Sequence, residues 1–112
     1  MVKAVWNGIT IAESDDIVVV EGNAYFPMGS VKQECIAEDA ETRATYCHWK
    51  GIATYFNVKA GGETNAGAAW RYAEPYPQSA VIRDRIAFWN GIEVIGKPEG
   101  AGLIEGEPSL DG

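Results

Sequence analysis

One turn phrase occurs twice in this chain. Val5-Trp6-Asn7-Gly8-Ile9-Thr10-Ile11 near the start is echoed by Phe88-Trp89-Asn90-Gly91-Ile92-Glu93-Val94 near the end. Asn-Gly between alternating apolar residues is the strongest short-range hairpin signal. A two-residue type I′ turn needs positive φ at both central positions, which Asn and Gly reach most readily. Two hairpins of one kind are therefore expected to bracket the chain. A third turn at Gly22-Asn23 divides residues 17–21 from residues 24–26, and Ala60-Gly61-Gly62-Glu63 divides residues 51–59 from residues 64–72. Helical periodicity is poor: residues 31–37 read as strand or one helical turn, and residues 78–84 as a short helix behind Pro77. The expected fold class is all-β (mainly β), a compact antiparallel domain of hairpins with at most one or two short helices.

A chain of 112 residues that is 46% apolar supports one domain with its own core. That domain is assigned to residues 1–96, and residues 97–112, rich in Gly, Pro and acid, are expected to form a mobile tail in which only Leu103, Ile104 and Leu110 are apolar. The longest aliphatic run, Ile17-Val18-Val19-Val20, is far short of the ~18–20 residues that span a bilayer. No apolar stretch follows Lys3, so a cytoplasmic location is expected. The net charge of −7 argues against nucleic acid and anionic membrane as partners. Its distribution says more than its total. Residues 42–92 carry six cations against three acids, net +3, and the remainder carries three cations against thirteen acids, net −10.

The most distinctive stretch is Thr45-Tyr46-Cys47-His48-Trp49-Lys50-Gly51-Ile52-Ala53-Thr54-Tyr55-Phe56. It resembles the DUF427 family, small bacterial and fungal proteins with the signature T-x-C-P-W-K-G-x-A-x-Y-W. The match continues through Ala69-Trp70-Arg71-Tyr72, Pro75 and Ile86-Ala87-Phe88-Trp89, and Tyr25-Phe26-Pro27 also fits, so that about residues 3–95 are covered. The resemblance implies a mostly antiparallel β domain similar to the β-tent (Mss4-like) group. It brings no established activity, although a nucleotidyltransferase-like label attaches to the family. His48 stands where the family usually has Pro, so a shared mechanism does not use this single histidine.

The central hairpin frames a site. If Lys59 pairs with Thr64, an unbroken register sets Tyr55 opposite Ala68, Ala53 opposite Trp70 and Gly51 opposite Tyr72, all on one face. On the other face Phe56 meets Gly67 and Ile52 meets Arg71. Each large ring then has a small neighbour and room to lie flat, either as core or as a platform on which a ligand stacks. Lys50 lies between Trp49 and Gly51, and Arg71 between Trp70 and Tyr72; cations beside rings bind anionic, ring-bearing ligands by charge and stacking together.

Other chemistry is less well provided for. Cys35 and Cys47 form no C-x-x-C pair, so neither a metal site nor a cofactor is expected. Cys47 reads as a small buried apolar residue or as a thiolate activated by Lys50. Cys47 and His48 are neighbours on an extended segment and point apart, which argues against a dyad. Met28-Gly29-Ser30 followed by Asp39-Ala40-Glu41 superficially mimics a metal-dependent phosphoryl-transfer site, but residues 37–42 read as a solvated acidic loop without a rigid anchor.

Three functions follow as expectations. The first is a small-molecule-binding domain whose pocket is lined by Trp49, Lys50, Tyr55, Trp70 and Tyr72, with Arg71 or Arg83 at the rim. The second is an enzyme with Lys50 or Cys47 as the reactive group and Glu34 as proton partner; lysine acts so only where burial strips its proton near neutrality. The third is a protein-interaction module, and an edge strand offers a route to a homodimer.

Overall fold

The computed structural model describes residues 1–39, 41 and 44–96. Among them ten strands run in chain order: β1 Val2–Trp6, β2 Ile9–Ser14, β3 Val18–Val20, β4 Asn23–Pro27, β5 Ile36–Glu38, β6 Thr45–Cys47, β7 Gly51–Ala60, β8 Glu63–Arg71, β9 Arg85–Phe88 and β10 Glu93–Ile95. Short 3-10 turns cover Met28–Ser30, Gln33–Cys35 and Pro77–Ile82, and the described residues contain no α-helix. The domain is all-β. Residues 31–37, read as strand or one helical turn, hold a 3-10 turn followed by the start of β5, and the expected short helix after Pro77 also takes the 3-10 form. No helix among the described residues is long and apolar enough to cross a membrane. The mobile tail expected over residues 97–112 lies outside the described residues.

The strands form two antiparallel sheets. A small one has the order β10-β1-β2, and a large one the order β3-β4-β9-β8-β7-β5, with β6 pairing further along the outer edge of β7. The first Asn-Gly phrase makes the expected hairpin, with Trp6 opposite Ile9 and φ of 53° and 77° at Asn7 and Gly8. The second does not. Asn90 and Gly91 have the same left-handed backbone, φ 57° and 95°, but they turn the chain from β9 in the large sheet to β10 in the small one. The third turn also falls one residue early. Glu21 and Gly22 are its central pair, φ 55° and 81°, and Asn23 already opens β4.

The long hairpin corrects the unbroken register. Lys59 does pair with Thr64, but between Val58 and Phe56 the ladder shifts, and beyond it Phe56 faces Ala69, Tyr55 faces Trp70 and Thr54 faces Arg71. The break is built by Asn57, whose Oδ1 accepts the Gly67 backbone N–H at 2.9 Å, and by Gly67 at φ 65°. Bulges of this kind re-aim side chains while keeping the strands paired. The shift is by two residues, so Tyr55 stays on the face of Trp70 and Tyr72, whereas Ala68 joins the opposite core. The acidic stretch is corrected too. Ile36–Glu38 is a strand on β7, and Asp39 is buried with its N–H donated to the Tyr55 carbonyl.

Each face of the large sheet is covered differently. On one, Phe26, Phe56, Val58, Ala69, Ile86 and Phe88 pack against Val2, Ala4, Ile11, Ala12 and Ile92 from the small sheet and its flanks. On the other, Val20, Tyr25, Ala53, Tyr72 and Ala87 pack with Ile82 from the 3-10 turn, and with Trp49, Tyr55 and Trp70. The first face is the main apolar core. The second carries the candidate site.

Candidate functional site

A row of side chains crosses the large sheet on that second face. Val18 pairs with Tyr25, Ala87 with Trp70, and Trp70 with Tyr55. The Phe26–Ile86 pair next in line puts Tyr25 beside Ala87. Because Ala87 is only a methyl group, the rings on either side meet over it. Tyr25 and Trp70 pack edge to face with centroids 6.2 Å apart, and Trp70 Nε1 donates to the Tyr25 hydroxyl at 3.2 Å. Trp70 thus does have small neighbours, but the one beside it is Ala87 on β9 rather than Ala53 on β7. Trp89 closes the far side, edge-on to Trp70 at 6.0 Å, its Nε1 donating to the Gly67 carbonyl at 2.7 Å.

Above this row opens a cavity of about 250 Å³ lined by Asn23, Tyr25, Lys50, Tyr55, Trp70, Tyr72 and Trp89. Among the described residues that line it, Lys50 is the charged one. It ends the turn between β6 and β7 and is held there by backbone. The Lys50 carbonyl accepts the Tyr76 N–H at 3.2 Å, and the Trp49 carbonyl accepts the Ser79 hydroxyl at 3.1 Å. Gly51 makes this clamp possible. Its φ is +111°, and a Cβ there would lie 3.4 Å from the Glu74 carbonyl oxygen and 3.5 Å from Pro75 Cα. The Trp-Lys-Gly sequence therefore has a local reason. Lysine aims inward, and glycine supplies the left-handed backbone, φ +111°, with which the segment carrying Pro75 is met.

The Lys50 ammonium lies 4.7 Å from the centre of the Trp49 ring and 5.9 Å from that of Tyr72. It donates to the Glu21 carboxylate and forms an ion pair with it. Lys50 is 7% exposed, whereas the Glu21 side chain, on the β3–β4 turn, is 49% exposed. A buried charge held against rings and one carboxylate in this way is compensated. Burial pushes the Tyr25 hydroxyl up to about 12, the hydrogen bond from Trp70 only partly opposing it. Burial pushes Tyr72 up as well. Both phenols stay protonated at neutral pH and present neutral hydroxyls.

The structure brings Lys50, Tyr55, Trp70 and Tyr72 together on the cavity, with Trp49 against Lys50 just behind it. It does not bring Arg71 to the rim. Alternation along β8 turns Arg71 to the opposite face, where its guanidinium stacks over Phe56 at 5.2 Å and its Nη1 lies 3.5 Å from Asp84. Arg83 is exposed at the end of the 3-10 turn. Glu34 is exposed within the Gln33–Cys35 turn, and the carboxylate that meets Lys50 belongs to Glu21 instead. Cys47 is half-buried and packs against the aromatic cluster. Both cysteines are free. Asn23, Tyr25 and Trp89 were not anticipated as lining residues. Tyr25 and Trp89 did lie in the family-like segments, but which face they occupy follows only from the pairing of β4, β9 and β8.

Comparison with known proteins bears on residues 1–97, which match the family model described as a domain of unknown function, DUF427. No curated protein matches the chain.

Proposed function

Since the chain belongs to the DUF427 family, whose function is unknown, we propose from its own geometry that the domain binds a small molecule carrying a planar or anionic group in the aromatic cavity. One observation carries this reading: a lysine, 7% exposed, on the wall of a ring-lined cavity. Aromatic faces there offer stacking, and the ammonium and the tyrosine hydroxyls offer polar anchors. A volume of about 250 Å³ lies below the ~300–1,000 Å³ of drug-sized sites and suits a ligand of one or two rings.

A screen of lysate metabolites by native mass spectrometry and thermal shift tests it, run on the wild type and on Lys50→Ala. The expected result is a bound small molecule that raises Tm and is lost on the substitution. Retention of every bound species by Lys50→Ala would refute the role given to this lysine.

A second reading, a protein-interaction module, draws on a different surface. Tyr46 and Ile52 face each other across β6 and β7 and are 65% and 58% exposed. The Tyr76 ring stands 6.5 Å from that of Tyr46. Cross-linking of the wild type and of Tyr46→Ser with Ile52→Ser distinguishes it: only adducts that vanish with the patch support this role.

A further inference from the structure

We propose that the Glu21 carboxylate is an internal stand-in for the ligand's own carboxylate, and that the cavity takes a planar ring bearing one carboxylate, which displaces Glu21 from Lys50. This rests on the binding-site reading above and specifies the ligand class and its regulation.

The two partners of the ion pair are held very differently. Lys50 is buried, its backbone is clamped through its own carbonyl and that of Trp49, and it lines the cavity. Glu21 projects from a two-residue turn with about half of its side chain in water, so it can swing outward at little cost in desolvation. An ammonium has three N–H groups, and among the described residues Glu21 is the acceptor that the Lys50 ammonium meets. Its remaining surroundings include the faces of Trp49 and Tyr72. A displacing group therefore finds donors already aimed and an occupant that is easily moved.

Glu21 is also an unfavourable choice for its own backbone. It sits at φ 55° at the first central position of its turn, where the corresponding positions of the other three turns, φ 53°, 61° and 57°, carry Asn7, Gly61 and Asn90. Asn adopts this conformation more readily than Glu. A strained residue that persists points to a role for its side chain, and the side chain meets Lys50. Charge sets the ligand class. The Lys50–Glu21 pair is neutral, and a monocarboxylate replacing Glu21 keeps the buried ammonium compensated. A neutral ring has nothing with which to displace Glu21, and a dianion would bring surplus charge beside the released carboxylate. The rings of Tyr55, Trp70 and Trp89 supply the surface for the planar part.

Benzoate and benzamide are the probes, titrated by calorimetry and tryptophan fluorescence into wild type, Glu21→Gln and Lys50→Met, each checked for folding by near-UV circular dichroism. Glutamine keeps an acceptor for Lys50 without the charge; Glu21→Asn, the residue type that two of the other turns carry, replaces it if Glu21→Gln does not fold. The expected result has three parts. Wild type prefers benzoate, Glu21→Gln binds benzoate about tenfold more tightly with benzamide unchanged, and Lys50→Met loses the preference while keeping benzamide. Equal binding of the two probes by wild type, or weaker benzoate binding by Glu21→Gln, overturns the stand-in role and leaves the cavity as a binding site. Absence of binding of either probe to all three folded proteins overturns both.

Discussion

Asn7 donates its side-chain amide to the Ala60 carbonyl at 2.9 Å, tying the turn of the small sheet's hairpin to the turn of the long hairpin in the large sheet. The two residues lie 53 positions apart. Asn7 thus provides the left-handed backbone of its own turn and a bond between sheets. Asn7→Ala removes both and is expected to cost about 1–2 kcal/mol in urea unfolding. Asn7→Gly keeps the backbone and loses only the bond, for about 0.5–1.5 kcal/mol. Equal costs for the two would assign the whole effect to the hydrogen bond.

Gly51 carries the second prediction. Alanine there is forced to φ near +111° and brought to 3.4 Å from the Glu74 carbonyl. Gly51→Ala is expected to destabilise by about 1–3 kcal/mol. Hydrogen exchange should rise at the Tyr76 amide, which bonds to the Lys50 carbonyl. A melt coinciding with wild type would mean that the segment from Glu74 to Tyr76 yields freely.

Alkaline pH is the third. Tyr25 titrates near 10 when unfolded and near 12 when folded, so the folded state holds this proton more tightly. Its contribution is complete below pH 10 and is lost as pH rises from 10 through 12. At about 1.4 kcal/mol per pKa unit, Tyr25 accounts for about 2–3 kcal/mol of that loss, and Tyr72, also raised by burial, acts in the same direction. Tyr25→Phe is expected to flatten the decline in chemical-denaturation stability between pH 10 and 12. An unchanged slope would place the alkaline transition elsewhere.

The ion pair predicts an asymmetry between its two deletions. Lys50→Met fills the same space and leaves Glu21 in water, so stability should change by no more than about 1 kcal/mol in either direction. Glu21→Ala strands the buried ammonium and should cost about 2–3 kcal/mol, less than a fully enclosed pair because Glu21 is half exposed. Paired guanidinium melts decide it, and a larger loss for Lys50→Met would reverse the picture of which partner is dispensable.

What could be read from the sequence was local. The Ala60–Glu63 turn, its pairing of Lys59 with Thr64, and the alternation that gathers Tyr55, Trp70 and Tyr72 on one face all rest on neighbours along the chain. The bulge was hidden because it depends on Asn57 reaching the Gly67 amide across the hairpin. Arg71 was misplaced by reading adjacency as proximity, since period-two alternation sends it to the other side of the sheet. The second Asn-Gly phrase shows the limit most directly. Turn chemistry fixes the backbone at Asn90 and Gly91, but whether the following strand returns to its neighbour or joins another sheet is settled by which apolar faces need covering. Glu21 and Lys50, 29 positions apart, meet although β9 and β8 separate the β3–β4 turn from β7 in the sheet order, a closeness that no local pattern along the chain announces.

The division of the large sheet into two unlike faces has an evolutionary consequence. The main apolar core and the Tyr/Trp cluster draw on separate side chains and meet only through the strands that both share. Substitutions on one face should therefore combine additively with those on the other. Descendant lineages can exchange the rings of the cavity while the core beneath the small sheet keeps the same scaffold standing.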